Sequence, residues 1–331
     1  MASLTDPITA DRLHRTRKQI GYSLAWLLST STLFLLGAGA LVTSTGSSLS
    51  VPDWPLAYGQ WFPPMVGGIF YEHGHRMIAT LVGLITTINA VWLWFYDPRR
   101  FVRWFGISLL VLVILQGVLG GITVIFLLPV PVSVGHAFTA QAFFLLTIFL
   151  TQMQAPGWNG YFKTAPAQEQ GAPRTRLWAL ATLVLLFCTL LVGAIVRHTG
   201  AGLVIPDFPL AYGQIIPPLS AFPIVIHFTH RVLAYTTAIV VLLTLWQVLK
   251  HHGDKLHLKT PATAIAVLVV VQILLGGGVI WSFKSVPITT LHLMNGALLI
   301  GLTGLLALRA FLEESGVPAM LQGTRHPHGQ T

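Results

Sequence analysis

Four histidines recur in two register-matched pairs along this chain. His75 and His136 in the first half correspond to His230 and His292 in the second half, with the offset between the copies drifting only from 154 to 156 residues. An imidazole can ligate a metal or carry a proton. No cysteine or histidine with zinc-type spacing accompanies these four. Two imidazoles facing each other across a helical bundle commonly hold a haem iron from both sides, so the pairs predict one haem site in each half.

Small residues occur one helical turn beyond each histidine, on the same helical face. They leave room for a flat macrocycle, although close helix packing alone would also favour them. These residues are Ala79, Ala140, Ala234 and Gly296.

Charged residues accompany the first histidine of each pair. Arg76 and Arg231 directly follow His75 and His230, and a guanidinium suits a haem propionate, with an interfacial anchor as the alternative. Glu72 lies three residues before His75, whereas its counterpart is His227. A carboxylate here could take a proton or stabilise developing positive charge, or simply complement a helix dipole. The difference predicts acid-base chemistry in the first half and a redox role for the second.

A proline-rich segment is present twice, as Pro52–Gln60 and Pro206–Gln214. Prolines lower the entropy cost of ordering a loop, which favours a rigid lid over each site, although a turn that merely packs on the bundle remains the alternative. The candidate lid residues are Asp53, Trp54, Tyr58, Gln60, Asp207, Tyr212 and Gln214. Gln116 and Gln272 each precede a glycine-rich stretch, which predicts close-packed helix walls rather than catalysis.

The composition places these residues in a bilayer. Charged residues make up 9% of the 331 residues and hydrophobic residues 54%. Eight apolar runs have the length needed to cross the hydrocarbon. They cover residues 20–43, 74–96, 102–126, 133–153, 177–196, 224–249, 260–282 and 287–311. The net charge of +9 does not indicate nucleic acid, because the basic residues are spread over short loops that would lie inside.

These runs predict an all-α integral membrane protein with eight transmembrane helices in two tandem four-helix bundles. Since each half has an even number of crossings, the halves are parallel repeats. We expect an N-terminal bundle at 1–154, a cytoplasmic linker at 155–176, a C-terminal bundle at 177–312 and a cytoplasmic tail at 313–331. Both termini are predicted inside and the histidines near the outer face. Cys188, the only cysteine, is predicted to be inert packing.

The residues from Thr45-Gly46 through Pro52-Asp53-Trp54-Pro55-Leu56, then Glu72-His73-Gly74-His75-Arg76, His136, His230-Arg231 and His292 resemble the haem A synthase family. The resemblance covers all eight helices. It implies oxidation of the C8 methyl of haem O to a formyl group, giving haem A for terminal oxidases. It further implies that His75 and His136 bind the substrate haem, that His230 and His292 ligate a haem B, and that Glu72 is the essential carboxylate.

One departure from the bacterial family pattern lies in the first outer loop. Many members carry a cysteine pair there, but this chain has Val51 or its neighbour and Ala57 at the positions that look equivalent. Any thiol step assigned to that pair therefore cannot operate here.

The resemblance also implies stepwise oxidation through an alcohol and a gem-diol, with electrons leaving through the haem B to an unidentified acceptor. It implies a location in the bacterial plasma membrane, contact with membrane lipid, and a haem O synthase as supplier of the substrate. It leaves open whether the protein is a homo-oligomer.

Two other classes of protein are weighed against the haem A synthase. One is a two-haem b-type cytochrome that passes electrons to or from quinone, and the other is a transporter without haem.

Overall fold

The computed structural model describes residues 7–156 and 174–315, and this part of the chain is helical apart from connecting loops. Most of the predicted linker and tail falls outside the described residues. Eight helices are long and apolar enough to cross a membrane, which confirms the predicted all-α class. They are α1 (Pro7–Ser44), α2 (Gly67–Tyr96), α3 (Arg100–Ile125), α4 (Val130–Gln154), α5 (Thr175–His198), α6 (Phe222–His252), α7 (Leu256–Trp281) and α8 (Val286–Ser315).

Helix α2 begins seven residues before the predicted start of the second apolar run. Its first residue is Gly67, with Val66 in an extended conformation immediately before it and Pro63-Pro64 in the preceding loop. Hydropathy identifies the part of a helix that matches the hydrocarbon, whereas the helix itself continues through polar residues at the interface. Glu72 consequently lies in the second turn rather than the first, which weakens the helix-dipole explanation for this carboxylate.

The helices of each half contact one another in a ring. Helix α1 packs against α2 and α4, and α3 packs against α2 and α4; α5 packs against α6 and α8, and α7 packs against α6 and α8. Contacts of α1 and α4 with α8, and of α4 with α5, join the two groups. The parallel relation of the halves and the functional division between them stay predictions.

Small residues and polar bonds join the two groups of helices. Side chains of α4, among them Phe144 and Leu145, pack over Gly301 and Gly304 of α8. Near the histidine end, the guanidinium of Arg197 donates to Oγ of Ser44 at 3.0 Å. At the opposite end Arg309 donates to Oε1 of Gln152 at 2.8 Å. The glycines allow close approach, and the two arginines connect the groups at both ends.

The packed hydrophobic core of each half lies away from the histidines. In the first half it includes Leu28 and Leu109, which precede the histidine level on α1 and α3, and Leu93 and Leu150, which follow it on α2 and α4. The second half has the same distribution in α5–α8. The main core of each half therefore lies beyond the histidine level, while smaller buried groups such as Val51 and Ile205 pack the loops at the histidine end.

Candidate functional site

The four histidines lie at one end of the helices and at similar depth. His75 and His230 are each eight residues beyond the first residues of α2 and α6, and His136 and His292 are each six residues beyond those of α4 and α8. At 1.5 Å per residue these positions are roughly 9–12 Å along their helices. Contacts between the halves place the two pairs at one level. His75 lies against Gly39 of α1, the neighbouring Ala40 accepts from Arg197, and Arg197 is close enough to His292 to interact with it electrostatically. The two members of each pair are close enough to interact electrostatically.

A glycine of the preceding helix lies against each imidazole. A Cβ placed on Gly39 of α1 would be 3.1 Å from Cε1 of His75, and one on Gly193 of α5 would be 2.8 Å from Cε1 of His230. These separations are too short for an ordinary contact. The same arrangement, at 3.4 Å, pairs Gly120 with His136 and Gly276 with His292. Glycine therefore provides the space that each ring occupies, at four matched positions.

Different groups orient the first and second histidine of each pair. Nδ1 of His230 lies 3.2 Å from the carbonyl oxygen of Thr189, and His75 lies beside the main chain of the corresponding residue, Leu35. The second histidines instead contact glutamine side chains. The amide of Gln116 lies 3.0 Å from Nδ1 of His136, and Nε2 of Gln272 lies 3.3 Å from Nε2 of His292. A main-chain carbonyl is present at such a position with any side chain, whereas the contact with a glutamine depends on the residue type at that position.

These features fit an iron-bound macrocycle. A histidine that ligates metal through Nε2 usually donates its Nδ1 proton to a carbonyl or carboxylate, as the position of His230 allows. The residues one turn beyond the histidines, Ala79, Ala140, Ala234 and Gly296, are all small and only partly buried. In the described ranges no three His, Cys, Asp or Glu residues cluster as for a multidentate metal ion. Paired imidazoles are thus the donor set that this end of the protein offers.

Glu72 is buried between α2 and the first proline-rich loop. Its side chain is 5% exposed, Oε1 accepts from Arg76 at 2.7 Å, and Oε2 accepts from the backbone N–H of Val51 at 2.9 Å. The paired residues are four apart on α2 and so share a face. In the second half His227 takes the corresponding place, and its Nε2 lies 3.3 Å from Nε of Arg231. The first half therefore has a buried carboxylate at the position where the second half has a buried histidine.

The two arginines hold the proline-rich loops against the helices. Arg76 donates to the carbonyl oxygens of Asp53 and Leu56 at 2.7 and 2.9 Å. In the second half, Arg231 donates to the carbonyl oxygens of Leu210 and Ile205 at 2.8 and 3.1 Å. An arginine has five N–H donors, so these bonds occupy much of each guanidinium. A propionate role for either arginine stays a prediction and would have to share these donors.

Each proline-rich loop contains a two-residue turn closed by an aspartate. Ala57 and Gln60 pair through their main chains around Tyr58 and Gly59, which have φ of 53° and 71°. Asp53 accepts from the N–H groups of both central residues, at 2.6 and 2.8 Å. The second loop repeats this geometry with Ala211, Gln214, Tyr212, Gly213 and Asp207. The polar groups of Asp53 and Asp207 are thus used within the loops.

The aromatic residue of each loop packs across the bundle. Trp54 lies over Gly121 of α3, where a Cβ would be 2.7 Å from its ring, and Phe208 lies over Gly277 of α7, at 2.8 Å. Tyr58 and Tyr212 donate their hydroxyls to carbonyl oxygens earlier in the same loops. Each loop therefore spans from the arginine on one helix to a glycine on the next. This placement agrees with a lid, a role that stays a prediction.

The two positions that look equivalent to the cysteine pair are apolar and buried. Val51 and Ala57 are both 0% exposed. Val51 also supplies the N–H that binds Glu72. Packing and this backbone bond hold the segment in place without a disulfide.

The first loop is expected to lose order at acid pH. The N–H groups of Gly59 and Tyr58 hold the pKa of Asp53 below its usual range. Because the folded pKa is lowered, the stabilisation is present above the unfolded pKa of about 3.9 and is lost as pH falls through the folded value. Hydrogen exchange of peptides covering residues 52–60, corrected for intrinsic rates, should show the protection falling below about pH 4. Asp53→Asn should remove this pH dependence, and wild-type protection unchanged from neutral pH to pH 3 would contradict the prediction.

The fold and site define a multi-pass membrane protein with an internal repeat and two matched histidine pairs near one end of its helices. The family model for the cytochrome oxidase assembly protein (COX15-CtaA) matches residues 66–304. The chain belongs to this family. The matched segment includes all four histidines, both arginines and Glu72.

Several curated relatives are similar to the chain over most of its length. A haem A synthase of Symbiobacterium thermophilum is 28% identical over 86% of this chain and 93% of its own. A haem A synthase of Halalkalibacterium halodurans is 29% identical over 85% of this chain and 92% of its own. One of Rhodospirillum centenum is also 29% identical, over 85% of each chain.

Proposed function

We propose that this protein is a haem A synthase, a membrane oxidoreductase that converts the C8 methyl group of haem O to a formyl group. Family membership and the similarity to haem A synthases over most of the chain support this function. The observation that carries it is the asymmetry between two otherwise matched sites. Both have a histidine pair seated on glycines, but only the first has the buried carboxylate Glu72.

The two histidine pairs have different tasks in this proposal. His75 and His136 bind haem O as the substrate, and His230 and His292 ligate a haem B. When bound, the haem B supplies one-electron redox chemistry. The glycines that lie against the four rings, and the carbonyl of Thr189 beside His230, support ligation. They fix the positions of the rings before a ligand binds.

Glu72 serves the oxidation in the first site. In this proposal water supplies the oxygen: the methyl becomes an alcohol and then a gem-diol, each step adding one water oxygen and releasing two protons and two electrons to the acceptor. The gem-diol then loses water to give the aldehyde. The carboxylate accepts a proton or stabilises positive charge that develops at the reacting carbon. Arg76 and the N–H of Val51 hold both carboxylate oxygens, which fixes their direction.

The remaining assignments concern access and surroundings. Asp53, Trp54, Tyr58 and Gln60 belong to a lid that limits water at the first site, with Asp207, Tyr212 and Gln214 in the equivalent lid. Arg76 and Arg231 anchor these lids, and the N–H groups that remain, Nε–H alone in Arg76 and two in Arg231, bind haem propionates. The protein lies in the bacterial plasma membrane in contact with lipid, with both termini cytoplasmic and the haem sites near the outer face. A haem O synthase supplies the substrate, and a separate acceptor receives the electrons.

Analysis of extracted haem tests the activity directly. The chain is expressed in cells that make haem B, with or without a haem O synthase. With the synthase, mass spectrometry should reveal a product in which one oxygen has replaced two hydrogens of haem O. A purified protein that contains haem O and never yields this product would overturn the proposal. Recovery of haem B alone, with haem O present in the membranes, would favour the two-haem electron carrier. That alternative does not explain why Glu72 and His227 differ.

A further inference from the structure

Arg197 of α5 reaches from the second half of the protein to the first. Its Nη2 donates to Oγ of Ser44 at 3.0 Å and to the main-chain oxygen of Ala40 at 3.3 Å, both on α1. It is also close enough to His292 to interact with it electrostatically. The guanidinium therefore lies beside the second histidine pair, at the boundary with the first half.

No carboxylate neutralises this guanidinium in the part of the chain that the structure describes. Arg197 forms no ion pair there, and its Nε and Nη1 make no hydrogen bond. A charged residue in a membrane helix is costly and by default marks function. The corresponding residue of the first half is Thr43, whose hydroxyl donates to the main chain of its own helix. The cation is therefore a feature of the second half alone.

The two halves also differ in total charge at the histidine end of the helices. Arg76 has Glu72 as a partner at 2.7 Å, whereas Arg231 has the imidazole of His227 in that place. The first half has two acids and one base at this end, and the second half has one acid and three bases. They are Asp53, Glu72 and Arg76, and then Arg197, Asp207, Arg231 and Lys284. The second half is therefore the more positive, even when Glu72 holds a proton.

We propose that Arg197, together with Arg231 and Lys284, raises the midpoint potential of haem B in the second half. This inference rests on the proposed function, because it assumes that His230 and His292 ligate a haem B. A nearby positive charge favours reduced iron, which carries one positive charge fewer than oxidised iron. The propionates add the same negative charge to both haems, so the difference between the halves remains. It favours electron flow from the first half to the second.

Equilibrium redox titration of haem B in the purified full-length protein tests this inference. Arg197→Gln removes the charge, and we expect the equilibrium to move toward oxidised haem B on the order of tenfold, or about 59 mV for one electron. A unit charge roughly 10 Å away has an effect of this size at an effective dielectric constant of about 20. Arg197→Lys keeps the charge and should retain most of the wild-type potential. Ser44→Ala is the matched control, because it removes the bond to α1 but leaves the cation, and its potential should be that of wild type.

Lys284→Gln provides a second test that decides the matter if Arg197→Gln binds no haem B. Lys284 is exposed, so its replacement should leave the packing intact, and it is close enough to His227 to interact with it electrostatically. The midpoint potential should again become more negative. The shift should be smaller than for Arg197→Gln and should shrink as salt is added, because solvent ions screen an exposed charge.

The outcomes distinguish this inference from the proposed function. If wild type binds haem B through two histidines and Arg197→Gln has the same spectrum and the same potential, the inference is wrong. An unchanged potential in Lys284→Gln has the same meaning where Arg197→Gln has lost the haem. A shift in Arg197→Lys as large as in Arg197→Gln would also contradict it, because the charge would then not be the cause. If instead His292→Ala does not alter the low-spin spectrum of bound haem B, the ligand assignment in the proposed function fails.

Discussion

Replacement of Glu72 by glutamine is expected to reduce the conversion of haem O to haem A by about 10²- to 10⁴-fold, the usual contribution of a positioned acid or base. The glutamine retains an oxygen for Arg76 or for the N–H of Val51, so the loop and helix should stay in place. What the substitution removes is the negative charge and the ability to hold a proton at this buried position. The measurement is the ratio of haem A to haem O extracted from membranes that contain equal amounts of protein.

Two further observations separate catalysis from folding in this test. Glu72→Gln should bind haem O as wild type does, and its loop peptides should exchange hydrogen at wild-type rates. Glu313→Gln is the matched control, because Glu313 pairs with Lys255 and His257 at the opposite end of α8 from the histidines. A Glu72→Gln protein that forms haem A at the wild-type rate would remove this carboxylate from the mechanism.

Substitution of Gly193 by alanine is expected to displace His230 and reduce haem B retention on the order of tenfold or more. An added Cβ would lie 2.8 Å from Cε1 of the ring, and the ring cannot move without changing its bond to Thr189. Misplacement of a metal ligand by changes around it typically costs 10- to 100-fold in affinity. Absorbance of purified protein gives the haem content, and the low-spin spectrum reports on the two axial histidines.

Comparison of Gly193 with Gly39, its counterpart in the first half, shows which haem each glycine affects. Gly39→Ala should weaken haem O binding at His75 and leave haem B in place, because the two glycines seat histidines of different halves. Gly83→Ala serves as the control, since a Cβ on this α2 glycine would meet no atom within 4 Å. Full haem B retention in Gly193→Ala, with an unchanged spectrum, would show that the glycine seat is dispensable.

The helices and the histidine frame could be predicted from the sequence because both leave direct traces in it. Long apolar runs identify membrane helices, and the repeat identifies paired positions. The first residue of α2 was harder to predict, because Gly67–His73 contains polar residues that lower the hydropathy without breaking the helix. Glu72 consequently lies outside the predicted apolar run at 74–96, although it is part of α2.

The partners of the arginines could not be predicted from adjacency to a histidine. Neighbouring residues of a helix point about 100° apart, whereas residues four apart share a face. Arg76 therefore pairs with Glu72 and the loop, while His75 faces Gly39 of α1. The glutamines were interpreted only as packing walls because glycines surround them. The sequence did contain an indication of another role. A glutamine at both copies of one position in a membrane helix is costly unless its amide is hydrogen-bonded.

The position of the main hydrophobic core in each half has a consequence for the order of assembly. Leu28, Leu93, Leu109 and Leu150 bring the first four helices together far from the histidine level, and the second half does the same. Apolar contacts and the bonds between halves therefore stabilise the helices without any contribution from a macrocycle. The protein can therefore be inserted and folded first and receive its large, planar ligands afterwards, once the proline-rich loops move away from the helices.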